Sequence, residues 1–201
     1  MFKTIDEILL EVGEDKHTNL TTTSNKFKTD LWNFFKALPN HQKFNCVEFG
    51  THKGGTTRVL SYLFNKVYTI NLPGHMDAAQ KLNFDRDNIK FIEMNLYDTP
   101  TDSNFVHSPI SVFVIDAGHT TDQILMDVSR AKNLKHADGD VYFVFDDVGL
   151  FDDVYLAVQQ LIYVGQLEKV CSIGHDVRHN FGGSPERILR KDAEGMICKL
   201  T

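Results

Sequence analysis

The chain has few cysteines, tryptophans and prolines: 3, 1 and 5 respectively among 201 residues. Cys46, Cys171 and Cys198 stand in apolar stretches and not at paired spacings. That excludes a disulfide framework and a zinc site, and points to buried thiols of a reducing compartment. Positive charge is in deficit, with 21 Lys and Arg against 27 Asp and Glu and a formal charge of −6. Nucleic acid held by bulk electrostatics is therefore not an expected partner. No window reaches the ~18 uninterrupted apolar residues of a membrane helix. The acids spread through the opening MFKTIDEILLEVGEDK leave no apolar run for a signal peptide, so a cytoplasmic protein without a membrane partner is expected. Repeats, low-complexity tracts and linkers rich in Pro, Gly or Ser are missing too, which predicts one domain over residues 1–201. Hydrophobic residues make up 42% and charged residues 24%, near the roughly 45–50% and 25% of soluble globular chains, and this excludes a disordered protein.

What the chain does have is alternation. Short runs of β-branched and aromatic residues at Cys46–Phe49, Val67–Ile70, Ile89–Glu93, Ile110–Ile115 and Val141–Phe145 are each bounded by Gly, Pro, Asn or Asp, and read as strands. The last two are apolar on both faces, as central parallel strands are. Between them lie helical periods: Thr56–Phe64, Met76–Leu82, a stripe through Ile124, Leu125, Val128, Ala131 and Leu134, and another through Val154, Ala157, Val158, Leu161 and Ile162 after an Asp152/Asp153 N-cap signal. Two amphipathic helices, around Ile5–Val12 and Lys26–Leu38, occupy an N-terminal helical segment of residues 1–40. Two further strands, Lys169–Ile173 and Met196–Leu200, have no helix between them and must pair antiparallel in a C-terminal hairpin over 165–201. The polar stretch His175–Ala193 reads as a long loop, and His175, Arg178, His179, Arg187 and Arg190 within it could close over a substrate. The expected fold is α/β: an open, mostly parallel seven-stranded sheet of Rossmann-like type, helices on both faces, and an antiparallel C-terminal strand.

The first strand runs into Glu48-Phe49-Gly50-Thr51-His52-Lys53-Gly54-Gly55-Thr56. Gly50 permits a sharp turn, while Gly54 and Gly55 let a ligand approach the backbone and bring the next helix against the sheet. The helix N-terminus offers N–H groups to a carboxylate or phosphate. The spacing fits neither G-x-G-x-x-G nor the P-loop, which disfavours NAD and ATP. An ordinary βα turn, with glycines for geometry alone, is the other reading.

Asp116 ends the fourth strand, and Asp146 and Asp147 end the fifth. In a parallel sheet these ends share the carboxyl edge, where ligands of open α/β proteins bind, and neighbouring strands lie under ~5 Å apart. Three acids so placed call for a positive partner, and Mg²⁺ or another hard divalent cation suits oxygen ligands. Without a cysteine or histidine pair, zinc is disfavoured. The acids could instead begin a loop and cap a helix. His119, three residues after Asp116, has an imidazole suited to proton abstraction near neutral pH, or helps to start the Thr121 helix. A phosphoacceptor receiver fits poorly, since its acidic pair follows the first strand.

Val47–Thr57 resembles the cofactor motif of class I S-adenosylmethionine-dependent methyltransferases. Val114-Ile115-Asp116-Ala117-Gly118-His119, followed by Phe143-Val144-Phe145-Asp146-Asp147, is similar to the metal-dependent small-molecule O-methyltransferases of the catechol and macrocin types. The resemblance covers Lys26 to about Val164, with 41–164 as the cofactor-binding core. It implies that Glu48, Gly50, Thr51, His52, Gly54 and Thr56 hold the methionine part of S-adenosylmethionine. Asn71 would stand at the ribose, Asn95 and Leu96 at the adenine, and Asp116 at the cofactor's edge. It also implies that Asp116, Asp146 and Asp147 hold Mg²⁺, with His119 where the catechol type carries a catalytic lysine. Asn71 and Asn95 depart from the acids common there, and an amide offers one acceptor oxygen without charge; both could also be simple turn formers. The expected activity is methyl transfer to a hydroxyl of a small molecule with a divalent cation. The alternative is a non-catalytic nucleotide- or cofactor-binding module on the same fold.

Overall fold

Runs that are apolar on both sides are stable only inside a sheet covered on each face. The computed structural model, which describes residues 3–13, 22–98, 106–178 and 191–201, has them there. In chain order the elements are α1 (Ile5–Val12), α2 (Asn25–Ala37), a short 3₁₀ turn, β1 (Asn45–Phe49), α3 (Gly55–Leu63), β2 (Lys66–Asn71), α4 (Asp77–Leu82), β3 (Ile89–Glu93), β4 (Val112–Ile115), α5 (Thr121–Asn133), β5 (Tyr142–Phe145), α6 (Asp152–Tyr163), β6 (Leu167–Arg178) and β7 (Lys191–Leu200). The seven strands form one sheet in the order β3-β2-β1-β4-β5-β7-β6. Pairs from β3 through β5 are parallel, and β7 runs antiparallel to both of its neighbours. This is the expected mostly parallel, Rossmann-like sheet.

Alternation along the strands splits the core in two. Val47 and Phe49 of β1 point into a cluster with Phe113, Phe143, Phe145 and the inner faces of α5 and α6. Cys46 points the other way, with Val114 and Val144, onto Ile8, Phe27, Leu31, Phe35, Val59 and Leu60 of α1, α2 and α3. Burying a Leu or Phe side chain contributes roughly 1.5–3 kcal/mol, so both faces hold the sheet firmly.

Three local expectations are corrected. The two ends of the predicted loop His175–Ala193 are strand: pairing continues from Asp176↔Ala193 to Arg178↔Lys191, past a register shift after Ile173, and residues 179–190 lie outside the described residues. Gly174, at φ 85°, makes the bend, and an antiparallel ladder needs backbone bonds rather than apolar side chains. His179, Arg187 and Arg190 lie outside the described residues. Asp152 and Asp153 do not cap α6; Phe151 holds the cap position without a side-chain bond, and the two acids occupy the first turn. There they face the positive end of the helix dipole. The run Ile110–Ile115 forms a strand only from Val112, with Ile110 in a lone bridge to His136.

The register sets the site. Phe49 pairs with Ile115, and Ile115 with Phe145, so Gly50, Asp116 and Asp146 leave the sheet side by side. Chain order reverses between β1 and β4, the position at which open α/β sheets bind ligands.

Candidate functional site

At that edge lies a cavity of about 810 Å³. Gly50, Thr51, His52, Gly54 and Thr56 line one side, Asn71, Asn95 and Leu96 the rim beyond β2 and β3, and Asp116, His119, Asp146 and Asp147 the other side. Of the residues expected to hold the cofactor or metal or to act as base, Glu48 alone is not in the wall.

The glycine turn is tight for reasons that differ by residue. Gly50 has φ 98°, and a Cβ there would lie 2.1 Å from the Asp116 carbonyl oxygen. Gly54 has φ 81°, and its Cβ would meet Ala79 and Asn83 at 2.7–2.9 Å. Gly54 is thus required by the approach of α4, and a side chain there would grow into protein. The Gly54 backbone itself still lines the cavity. Gly54 is also the N-cap of α3 and supplies no side-chain bond to its first turn.

Glu48 sits beneath the turn, 1% exposed. Its Oε2 accepts hydrogen bonds from the Thr57 and Thr69 hydroxyls, each at 2.5 Å. Thr69, having donated its one proton, accepts from Thr51 at 2.6 Å. Glu48 therefore holds Thr51 in the cavity wall through Thr69, and does not face the cavity itself. Burial pushes its carboxyl up to about 7, against the lowering effect of the two hydroxyls and of the Lys28 charge.

The two amides make turns. Asn71 Oδ1 accepts the Leu72 N–H at 3.0 Å, and Nδ2 donates to the His75 carbonyl at 3.1 Å. Asn95 Oδ1 accepts the Tyr97 N–H at 3.0 Å, and Nδ2 donates to Asp98. Both side chains still line the cavity.

On the opposite side, Asp116, His119 and Asp147 each offer one ligand atom, all within 4.8 Å of one another. His119 Nε2 lies 2.9 Å from Asp147 Oδ2. The Phe151 ring stacks on the imidazole, centroids 4.5 Å apart and planes at 19°. Asp147 and His52 have φ 60° and 44°, left-handed values that are costly for residues other than glycine and cluster at functional sites. Asp146, the third expected ligand, lines the same cavity but stands outside this converging set, and its Oδ1 accepts the Asp147 N–H at 2.8 Å. That bond steadies the left-handed residue beside it. The start of α5 is capped by Thr120 and Gln123, which frees Asp116 from the capping role.

Sequence reasoning missed Lys28, Thr23, Tyr97 and Phe151, which also line the cavity. For Lys28 a signal existed: it falls at i with Leu31, Trp32 and Phe35 at i+3, i+4 and i+7, a cation inside an apolar stripe. It is 2% exposed. Phe151 carried no signal, because its position over His119 depends on how α6 docks against α5.

A family model described as a methyltransferase domain matches residues 47–148. No curated protein matches the chain. Among solved structures, an O-methyltransferase from Bacillus cereus in complex with SAH aligns with TM-score 0.65 and 14% identity, covering 98% of this chain and 90% of that one. An rRNA methylase from Streptococcus thermophilus aligns with TM-score 0.56 and 13% identity over 85% and 93%. Aeropyrum pernix fibrillarin with natively bound S-adenosyl-L-methionine gives 0.56 and 14% over 87% and 74%. At these identities each likeness establishes the fold alone.

Proposed function

Because the chain belongs to the methyltransferase domain family, whose model it matches over residues 47–148, we propose that it moves the methyl group of S-adenosylmethionine to a hydroxyl of a small molecule. The observation that carries this reading is the 2.9 Å imidazole–carboxylate pair of His119 and Asp147, in one cavity with the glycine turn. When bound, the cofactor supplies a sulfonium methyl open to in-line attack by an oxygen. The backbone of Gly50–Thr56 and the Thr51 hydroxyl hold its methionine part, with Asn71, Asn95 and Leu96 along its ribose and adenine.

With its proton on Nε2 and that proton donated to Asp147, His119 keeps its basic lone pair on Nδ1. The acceptor hydroxyl gives its proton to Nδ1, and Asp147 stabilises the imidazolium that results. Phe151 holds the ring plane. These residues position and deprotonate, and positioning supplies most of what a methyl transfer needs.

A divalent cation fits the donors: two carboxylates and an imidazole, with Asp116 and Asp147 as the oxygen ligands. It would lower the hydroxyl pKa and orient the acceptor. The clustering of His119 with these acids favours a second reading, in which Nε2 is itself a ligand. The ring then carries its proton on Nδ1 and has no base to offer. An imidazole donor also widens the choice from Mg²⁺ toward Mn²⁺ or Zn²⁺.

The test is transfer of a labelled methyl group to a panel of hydroxyl compounds, with and without EDTA. Transfer that EDTA abolishes and Mg²⁺ or Mn²⁺ restores is expected. Binding of S-adenosylhomocysteine with no compound labelled would indicate a binding module, and label appearing in RNA would move the acceptor to nucleic acid.

A further inference from the structure

Beside the loop that carries His119 lies a buried acid whose hydrogen bonding is incomplete. Asp127 of α5 is fully buried. Its Oδ2 accepts the Tyr97 hydroxyl at 3.2 Å, while its Oδ1 has no hydrogen-bond partner among the described residues. The other charged group in its electrostatic reach is Arg130, further along the same helix. A buried carboxyl with an unsatisfied oxygen costs stability, and such local rules are broken mainly where a functional site gains from it. Tyr97 comes to Asp127 from the chain after β3. Its N–H donates to Asn95 Oδ1 at 3.0 Å, and the residue lines the cavity. Its hydroxyl lies over Gly118, where a Cβ would overlap the Tyr97 oxygen on one side and Gln123 on the other. Gln123 stands one turn before Asp127, on the same face of α5. Its Oε1 accepts the N–H groups of His119 and Thr120 at 3.2 and 3.3 Å. The loop that presents His119 is thus clasped between an amide that binds its backbone and a hydroxyl that closes over its glycine.

We propose that Tyr97, oriented by Asp127, is a positioning residue that fixes the Gly118–Thr120 loop and with it the His119 imidazole against Asp147. This assignment rests on the function proposed above, in which His119 takes the proton of the acceptor hydroxyl. With its backbone held by Asn95 and its hydroxyl by Asp127, the phenol has one orientation, and the glycine beneath it has one position. A base displaced by about 1 Å loses up to ~10²-fold in rate, so a small shift of this loop is enough to matter. Asp127 serves only as an acceptor here, and an amide in its place should do the same work.

Steady-state methyl transfer, calorimetry with S-adenosylhomocysteine and amide hydrogen exchange at His119 and Thr120 test this together. Tyr97→Phe keeps the ring and removes the hydroxyl. It should lower kcat roughly tenfold and speed exchange at both amides, with KM and S-adenosylhomocysteine affinity within about threefold. Asp127→Leu removes the acceptor together with the half-satisfied carboxyl. It should lose a comparable factor in kcat while the melting temperature holds or rises, a split that a merely structural role would not give. Asp127→Asn keeps an acceptor oxygen and should recover kcat to within about threefold of the unaltered protein. The double variant should lose no more than Tyr97→Phe alone, since both changes act through one bond. Should Asp127→Leu fail to fold, Tyr97→Phe decides by itself. Transfer and exchange left unchanged by Tyr97→Phe would overturn the assignment. So would losses that multiply in the double variant, or an Asp127→Asn as poor as Asp127→Leu. No transfer by the unaltered protein would overturn the function and this role together, a result distinct from the others.

Discussion

The two sides of the cavity are built from different material. On the β1–β2 side the wall is mainly backbone, a glycine turn braced by Thr51, Thr57 and Thr69 around Glu48. On the β4–β5 side it is mainly charged side chain, with Asp116, His119 and Asp147 converging from two loops and Phe151 over the ring. Backbone walls hold a ligand through shape and N–H groups, and a titrating group enters only from below. Side-chain walls carry chemistry, but each group depends on its neighbours for orientation. The difference teaches that binding and turnover should be separable in this protein by single substitutions.

The largest expected effect tests that separation directly. His119→Ala should lower kcat by ~10²–10⁴, the contribution of a positioned acid–base group. Affinity for S-adenosylhomocysteine should stay within about twofold, because the ring makes no part of the glycine turn. Steady-state kinetics on a sugar-type hydroxyl, with calorimetry alongside, would check both halves. A loss under about tenfold would mean that the imidazole is structural, and a matching loss of cofactor affinity would break the comparison.

A smaller effect is expected beneath the backbone wall. Folding raises the Glu48 carboxyl from an ordinary 4.5 to about 7, chiefly by burial. The folded state then holds this proton more tightly than the unfolded one, so stability falls as pH rises from about 4.5 to about 7 and is level above that. The full drop is on the order of 3 kcal/mol. Asp127, raised to about 7 mainly by burial and hydrogen-bonded to Tyr97, acts in the same direction. Glu48→Gln should therefore flatten the slope of unfolding free energy between pH 5 and 8 without abolishing it. Urea melts at several pH values give the measurement, and identical slopes would count against a buried, protonated Glu48.

The smallest effect is expected at the ribose rim. An aspartate at position 71 would keep the bond from the Leu72 N–H, but would face the His75 carbonyl to which Asn71 now donates. The gain of an ionised acceptor is largely offset, and Asn71→Asp should change S-adenosylhomocysteine affinity by less than about threefold. Tenfold tightening in calorimetry would show that the amide leaves its turn on binding and that the rim is softer than the turn.

The elements show which features were legible and why. Gly50 could be read from the sequence because no other residue adopts φ 98° against a carbonyl without strain. Asp116 and the Asp146/Asp147 pair were legible as strand-end acids, since period and bounding residues locate strand ends. Which member of the pair joins His119 was not legible. Asp147 adopts φ 60° and meets His119, while Asp146 braces it, and nothing local distinguishes two adjacent aspartates. Gly54 was legible as a required glycine, but the close approach of α4 was not, because α4 comes to it from twenty-odd residues away. The hairpin was underread, because polar residues hide a ladder that only the partner strand completes.

By itself, the sequence determined what depends on local periodicity and backbone freedom: seven strands with alternating helices, the glycine turn, and acids at the carboxyl edge. Hydrophobic period and glycine conformation act within a few residues of chain, and so they can be read there. Only the tertiary structure decided the buried Glu48, the buried Lys28 in the cavity wall, the His119–Asp147 pair and the ring of Phe151 above it. Those depend on which side chains from distant segments share one desolvated space, and that is set by how α1, α2 and α6 pack on the sheet.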